Sequence, residues 1–205
     1  MNIKLKNITK IYNGVSVLNG SAEFTPETPI ICIKGESGAG KTTLLSIMAG
    51  LDKPDGGEIF IDGLKTEKPK DFARINYTPC DGGLFDALTV KDNIIFGMRL
   101  KETADVKEEI STVLGHLGIL KTCDKYPSEL SSGEYKRVQI AKMAFNFWNA
   151  DACLIDEPTS NLDKESARMV RDFIGKLSEM DKTKLFIIAT HDEKLLKVAD
   201  KILEV

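Results

Sequence analysis

Eight consecutive residues constrain this chain more than any others: Gly35-Glu36-Ser37-Gly38-Ala39-Gly40-Lys41-Thr42. They fit G-x-x-x-x-G-K-[ST] at every fixed position. The apolar run Ile30-Ile31-Cys32-Ile33 precedes them, and residues 41–49 read as a helix. A buried strand that enters a glycine turn and leaves as a helix aims backbone N–H groups and the positive end of a helix dipole at an anion. The glycines let the backbone wrap closely enough to do so. Lys41 can then reach β- and γ-phosphates, the Thr42 hydroxyl can ligate Mg²⁺, and Thr43 is placed toward an α-phosphate. By itself the loop implies a nucleotide-phosphate binder, a class that includes kinases, GTPases and motors.

A second motif narrows the class. Ala152-Cys153-Leu154-Ile155-Asp156-Glu157 is an apolar strand that ends in two carboxylates. Strand tips in open α/β sheets face the ligand crevice. Asp156 can hold a Mg²⁺ shell, and Glu157 can polarise a water for in-line attack on a γ-phosphate, where positioning dominates the chemistry.

Residues 3–11 and 15–24 alternate like antiparallel strands, and 56–62, 74–78, 184–189 and 202–205 read as further strands. Residues 164–180 form an amphipathic helix, and 195–199 close a short one. Residues 89–147 are mostly helical, with Val106, Ile110, Val113, Leu114 and Leu117 at spacings of three and four. The expected fold is α/β: a mainly parallel P-loop NTPase sheet with an N-terminal antiparallel β subdomain and an inserted α-helical subdomain. The expected organisation is one domain over 1–205, its core drawn from 1–88 and 148–205 and its helical insert from 89–147.

Composition excludes several classes. With 205 residues, 42% apolar, 29% charged and a net charge of −3, the chain lacks the basic balance of a general nucleic-acid binder. No stretch approaches the roughly 20 apolar residues of a membrane span, and the N-terminus has no signal-peptide core. A cytoplasmic setting is expected. Cys32, Cys80, Cys123 and Cys153 form no C-x-x-C pair, which fits a reducing compartment.

Between the two phosphate-directed motifs lies Leu130-Ser131-Ser132-Gly133-Glu134, ahead of a helical stretch. Here the chain resembles the ABC ATPases, whose signature reads L-S-G-G-Q before a helix, and the resemblance runs along essentially all of it. Asp156-Glu157-Pro158-Thr159-Ser160-Asn161-Leu162-Asp163 looks like the family's acidic strand and the D-loop that crosses its dimer interface. Ala189-Thr190-His191-Asp192 looks like its switch histidine, and Tyr12 matches the aromatic that stacks on adenine. The resemblance implies ATP as ligand with Mg²⁺. It implies catalytic Glu157, His191 and Lys41, and Mg²⁺ at Thr42 and Asp156. The nucleotide would meet Tyr12, Gly35, Glu36, Ser37, Gly38, Ala39, Gly40, Lys41, Thr42 and Thr43. Ser131, Gly133 and Asp163 of a second copy would complete it.

Three positions depart from the pattern. Cys80 stands where the family has a glutamine, and a thiol cannot replace an amide's contacts. Attenuated hydrolysis with retained ATP binding is the expectation. Ser132 replaces the first glycine of the signature, so its Cβ would crowd a nucleotide if its φ were positive. Glu134 replaces glutamine and adds a negative charge at a helix N-terminus.

The resemblance therefore implies the ATPase subunit of a transporter, working as a dimer on the inner face of a membrane with separate permease subunits. The chain stops at its last strand, which resembles small export-type and lipoprotein-extruding systems more than sugar importers, so export is slightly favoured. The alternative is a non-transport ATPase that drives a mechanical or regulatory membrane partner, with hydrolysis slowed by Cys80.

Overall fold

The computed structural model describes residues 1–66, 68–98 and 104–205. The segment 99–103 of the expected helical insert lies outside the described residues. Five strands form a parallel sheet in the order β6-β7-β8-β3-β9: Ile75–Thr78, Ala152–Asp156, Leu185–Ala189, Ile30–Lys34 and Lys201–Glu204. A second sheet is antiparallel, in the order β2-β1-β4-β5: Val15–Phe24, Ile3–Tyr12, Gly56–Ile61 and Leu64–Lys65. The two-residue β5 escaped the sequence pattern because it is too short to show a period.

Strands β7 and β8 are buried at every residue, as expected where a parallel sheet is covered on both faces. Their side chains divide with period two. Ile31, Ile33, Leu154, Leu185 and Ile187 pack with the antiparallel sheet and helix α1 (Lys41–Met48). Cys32, Cys153, Ile155, Phe186 and Ile188 pack on the other side with the helices. Each fully buried Ile or Leu contributes about 1.5–3 kcal/mol of apolar transfer. Burial pushes the Cys32 and Cys153 thiols up to about 12, so both are packing residues rather than reactive ones.

The helical segment comprises α2 (Val90–Met98), α3 (Ala104–His116) and α4 (Ser132–Asn146). Helix α4 is enclosed by the others and buries Val138, Ile140, Ala141, Met143 and Phe145. Helix α5 (Lys164–Met180) is amphipathic, with Val170, Phe173, Ile174 and Leu177 inward at spacings of three and four. Asp163 caps it, accepting from the N–H groups of Glu165 at 2.9 Å and Ser166 at 3.0 Å. The short α6 (Glu193–Val198) leads into β9. The C-terminal ends of β3, β7 and β8 lead directly into residues 35–40, 157–163 and 190–192, so the sheet gathers all three motifs at one edge.

Candidate functional site

A cleft of about 610 Å³ opens at that edge, lined by Tyr12, Lys41, Thr42, Asp156, Glu157 and His191 together with Ser37, Gly38, Gly40 and Thr43. Its floor is the glycine loop. Gly40 adopts φ +92°, and a Cβ there would stand 2.6 Å from the Val17 carbonyl, so the entry to α1 needs glycine. Lys41 Nζ donates to the carbonyls of Gly35 (2.9 Å) and Glu36 (3.0 Å), which arch the loop around its ammonium. Ala39 faces a different cleft between the two sheets.

Thr42 and Asp156, 114 positions apart, meet directly: Thr42 Oγ1 donates to Asp156 Oδ2 at 2.7 Å. Asp156 is 1% exposed, and its Oδ1 has no hydrogen-bond partner. Burial raises the pKa of this carboxyl, and the Thr42 bond only partly opposes it. An unpartnered buried oxygen costs about 1–3 kcal/mol, a penalty a cation would remove. The described residues contain no cluster of three or more His, Cys, Asp or Glu able to hold a metal alone. One carboxylate and one hydroxyl suit Mg²⁺, which draws further ligands from water and substrate phosphates.

Glu157 continues the strand with its N–H donating to the Ala189 carbonyl at 2.8 Å, then turns sharply at φ +48°. That left-handed backbone costs about 1–3 kcal/mol. The buried Glu157 Oε2 accepts no hydrogen bond and lies 3.0 Å from His191 Nδ1, an ion-pair contact when the imidazole is protonated. His191 itself is 75% exposed. The site therefore sets a largely buried carboxylate and an open imidazole side by side.

Neighbours that sequence reasoning missed hold these groups. Asp192 Oδ2 accepts from Arg171 of α5 at 2.7 Å and from Thr159 Oγ1 at 2.9 Å, tying the histidine turn to the turn after Glu157. Burial alone would raise the Asp192 carboxyl, but the Lys194 amide, Arg171 and Thr159 outweigh it and hold it low. Tyr12 donates to Asp52 Oδ2 at 2.5 Å, and Lys10 Nζ contacts Asp52 Oδ1 at 2.8 Å and sits 5.1 Å from the Tyr12 ring centre. The ring, 45% exposed, is thus fixed at the cleft mouth. Spacings of 21 to 42 residues leave no local pattern for such pairs.

Ser131, Gly133 and Asp163 do not line the cleft. Ser131 is the N-cap of α4: its Oγ accepts from Glu134 N–H at 3.2 Å, and Glu134 Oε2 accepts from Ser131 N–H at 2.8 Å. The bond from the Ser131 backbone is the largest cause holding the Glu134 carboxyl low. Two of the departures from the family pattern take a definite place here. Ser132 is the first residue of α4 and is not among the positive-φ residues, so the condition under which its Cβ would crowd a nucleotide is not met. The Glu134 charge is directed back onto its own helix end rather than outward.

Cys80 Sγ lies 3.9 Å from Ser160 Oγ. It follows β6 at the site edge, where the family pattern places its glutamine.

The sequence profile of the family described as "ABC transporter" matches residues 21–160. The chain is 36% identical to the lipoprotein-releasing system ATP-binding protein LolD of Blochmanniella floridana, across 96% of this chain and 88% of that protein. It is 32% identical to the sulfate/thiosulfate import ATP-binding protein CysA of Acinetobacter baylyi, across 99% of this chain but 59% of that protein. The fold superposes with a TM-score of 0.85 on the ATP-binding cassette MJ0796, solved as a dimer in a post-hydrolysis state with ADP and Pi, at 28% identity and covering 99% and 94% of the two chains. Both relatives are named for transport or release systems, which gives no support to the non-transport alternative.

Proposed function

The chain belongs to the ABC transporter family and is an ATPase, and from that premise we propose that it powers a transporter whose membrane passage lies in separate permease chains. The observation that carries this reading is a division of the motifs. Lys41, Thr42, Asp156, Glu157 and His191 share one cleft, whereas Ser131 and Gly133 lie outside it. Two copies arranged head to tail would complete each other's sites.

In the proposed cycle the Tyr12 ring stacks on adenine, and the backbone of residues 35–43 cradles the phosphates. Thr42 and Asp156 would hold Mg²⁺, which would neutralise phosphate charge. Glu157 orients and polarises the attacking water through its carboxylate, and His191 contacts the γ-phosphate. Ser131, Gly133 and Asp163 come from the second copy. Closing over ATP and opening after hydrolysis would be the force-producing step.

Residues 89–147, with the loop 79–85 at their base, form the proposed partner-facing unit on the core of 1–88 and 148–205. Phe85 and Phe96 support this: their rings meet edge to face at 5.0 Å, yet the residues stay 49% and 62% exposed. Exposed aromatic pairs of this kind mark interaction surfaces. No helix among the described residues is long and apolar enough to cross a membrane, so a peripheral position on the cytoplasmic face is proposed. Similarity to LolD over 88% of that protein supports release, beside a 32% identity to the import subunit CysA.

Binding to membranes from the source cells tests the partner. Wild-type chain should be retained and Phe96→Asp released, with about a tenfold or greater loss of affinity for a buried aromatic anchor. Equal retention would contradict the partner-facing assignment.

A further inference from the structure

Helix α4 grips the loop beside Cys80 through backbone carbonyls. Lys136 Nζ donates to the Cys80 carbonyl in a short hydrogen bond. Gln139 Nε2 donates to the carbonyls of Pro79 at 3.1 Å and Gly82 at 2.5 Å. Lys142 Nζ donates to the Gly83 carbonyl at 2.7 Å. Residues 136, 139 and 142 lie along one side of the helix, and every acceptor is main-chain.

Two of these side chains are in costly positions. Lys136 is 6% exposed and Gln139 is 3% exposed. Gln139 Oε1 is buried without a partner. A buried ammonium or amide costs stability unless its bonds are made, and apolar residues would fill the same space more cheaply. What the bonds achieve is continuity. The gripped loop carries Cys80, whose Sγ lies 3.9 Å from Ser160 Oγ; Ser160 Oγ in turn donates to the Glu157 carbonyl at 2.9 Å. The same helix begins at Ser131, the residue proposed to act on the second copy's nucleotide.

We infer that Lys136 and Gln139 are positioning residues for ATP hydrolysis, which hold residues 79–83 against the Glu157 turn through main-chain carbonyls where no glutamine side chain is present at position 80. This deepens the proposed function and rests on its assignment of Glu157. Because the grip is on carbonyls, it is independent of the side chain at position 80. A thiol there leaves the loop anchored.

The test uses the purified chain and its Lys136→Met, Lys136→Arg and Gln139→Leu variants. Two readouts are taken: turnover, and the alkylation rate of Cys80 by iodoacetamide, followed by mass spectrometry with Cys123 as internal reference. In Lys136→Met, Cys80 should react about fivefold faster as the loop loosens, with Cys123 unchanged. The kcat should fall about tenfold with KM for ATP within about twofold, the sign of lost positioning rather than lost binding. Lys136→Arg should keep both values near wild type, and Cys80→Gln placed in Lys136→Met should recover most of kcat. Gln139→Leu should shift both readouts the same way, and it carries the test if Lys136→Met does not fold. An unchanged Cys80 rate overturns the inference, as does a kcat loss that neither Lys136→Arg nor Cys80→Gln repairs. If wild-type chain fails to hydrolyse ATP, the catalytic assignment falls, while the alkylation rates still decide whether the grip exists.

Discussion

Asp156 shows how a single residue trades stability for chemistry. Its carboxyl is buried, bonded on one oxygen and bare on the other, and burial raises its pKa above the usual 3.8. The charged form is therefore the disfavoured one in the folded chain. The penalty is absent well below pH 3.8 and grows as pH rises through the folded value. Asp156→Asn keeps an acceptor for Thr42 and removes the charge. At pH 7 without nucleotide, its Tm should exceed wild type by about 2–4 °C, the shift that ~1 kcal/mol makes in a chain this size. The gain should vanish in scans near pH 3. A lower Tm at pH 7 would show that the carboxylate is not strained. Residue identities of this kind were legible in the sequence because they sit in fixed spacings: Lys41, Thr42, Asp156, Glu157 and His191 all reach the cleft. Their supports were not legible. Asp52 under Tyr12 and Arg171 behind Asp192 act across long separations that only the fold closes.

At the scale of elements, the start of α4 has two separable roles. Ser131 caps the helix, and its hydroxyl is also proposed to meet a second copy's phosphate. Replacing an N-cap serine by alanine costs about 1 kcal/mol, while glycine costs only a few tenths. Ser131→Ala should thus melt about 2–4 °C below wild type and Ser131→Gly close to it. Both lose the hydroxyl, so both should weaken ATP-dependent association to the same extent. Association that follows Tm rather than the missing hydroxyl would assign Ser131 to capping alone. Elements with a strong period were visible in advance, α5 and β2 with the bounds they have in the structure. The other elements that were given bounds shift by one or two residues, because caps and hydrogen-bond ladders set the ends while periodicity sets only the middle. Parallel pairing itself was readable, since β7 and β8 are apolar on both faces.

For the whole molecule, the sequence carried the order of motifs and the fold they build, and the sheet explains why three distant segments share one edge. It carried less about the grip of α4 on residues 79–83, since neither Lys136 nor Gln139 stands out in a helical pattern and their acceptors are carbonyls of a distant loop. It also left the signature residues without a target inside one chain. A single copy presents Ser131 and Gly133 away from its own cleft, so the proposed engine needs two. Glu157→Gln should bind ATP, lower kcat by about a hundredfold or more, and hold the closed state. The most direct measurement is the mass of that variant by light scattering after size exclusion, with and without saturating ATP. Twice 22.6 kDa with ATP, and 22.6 kDa without it, is the expected result. A single-chain mass with ATP demonstrably bound would contradict the two-copy site.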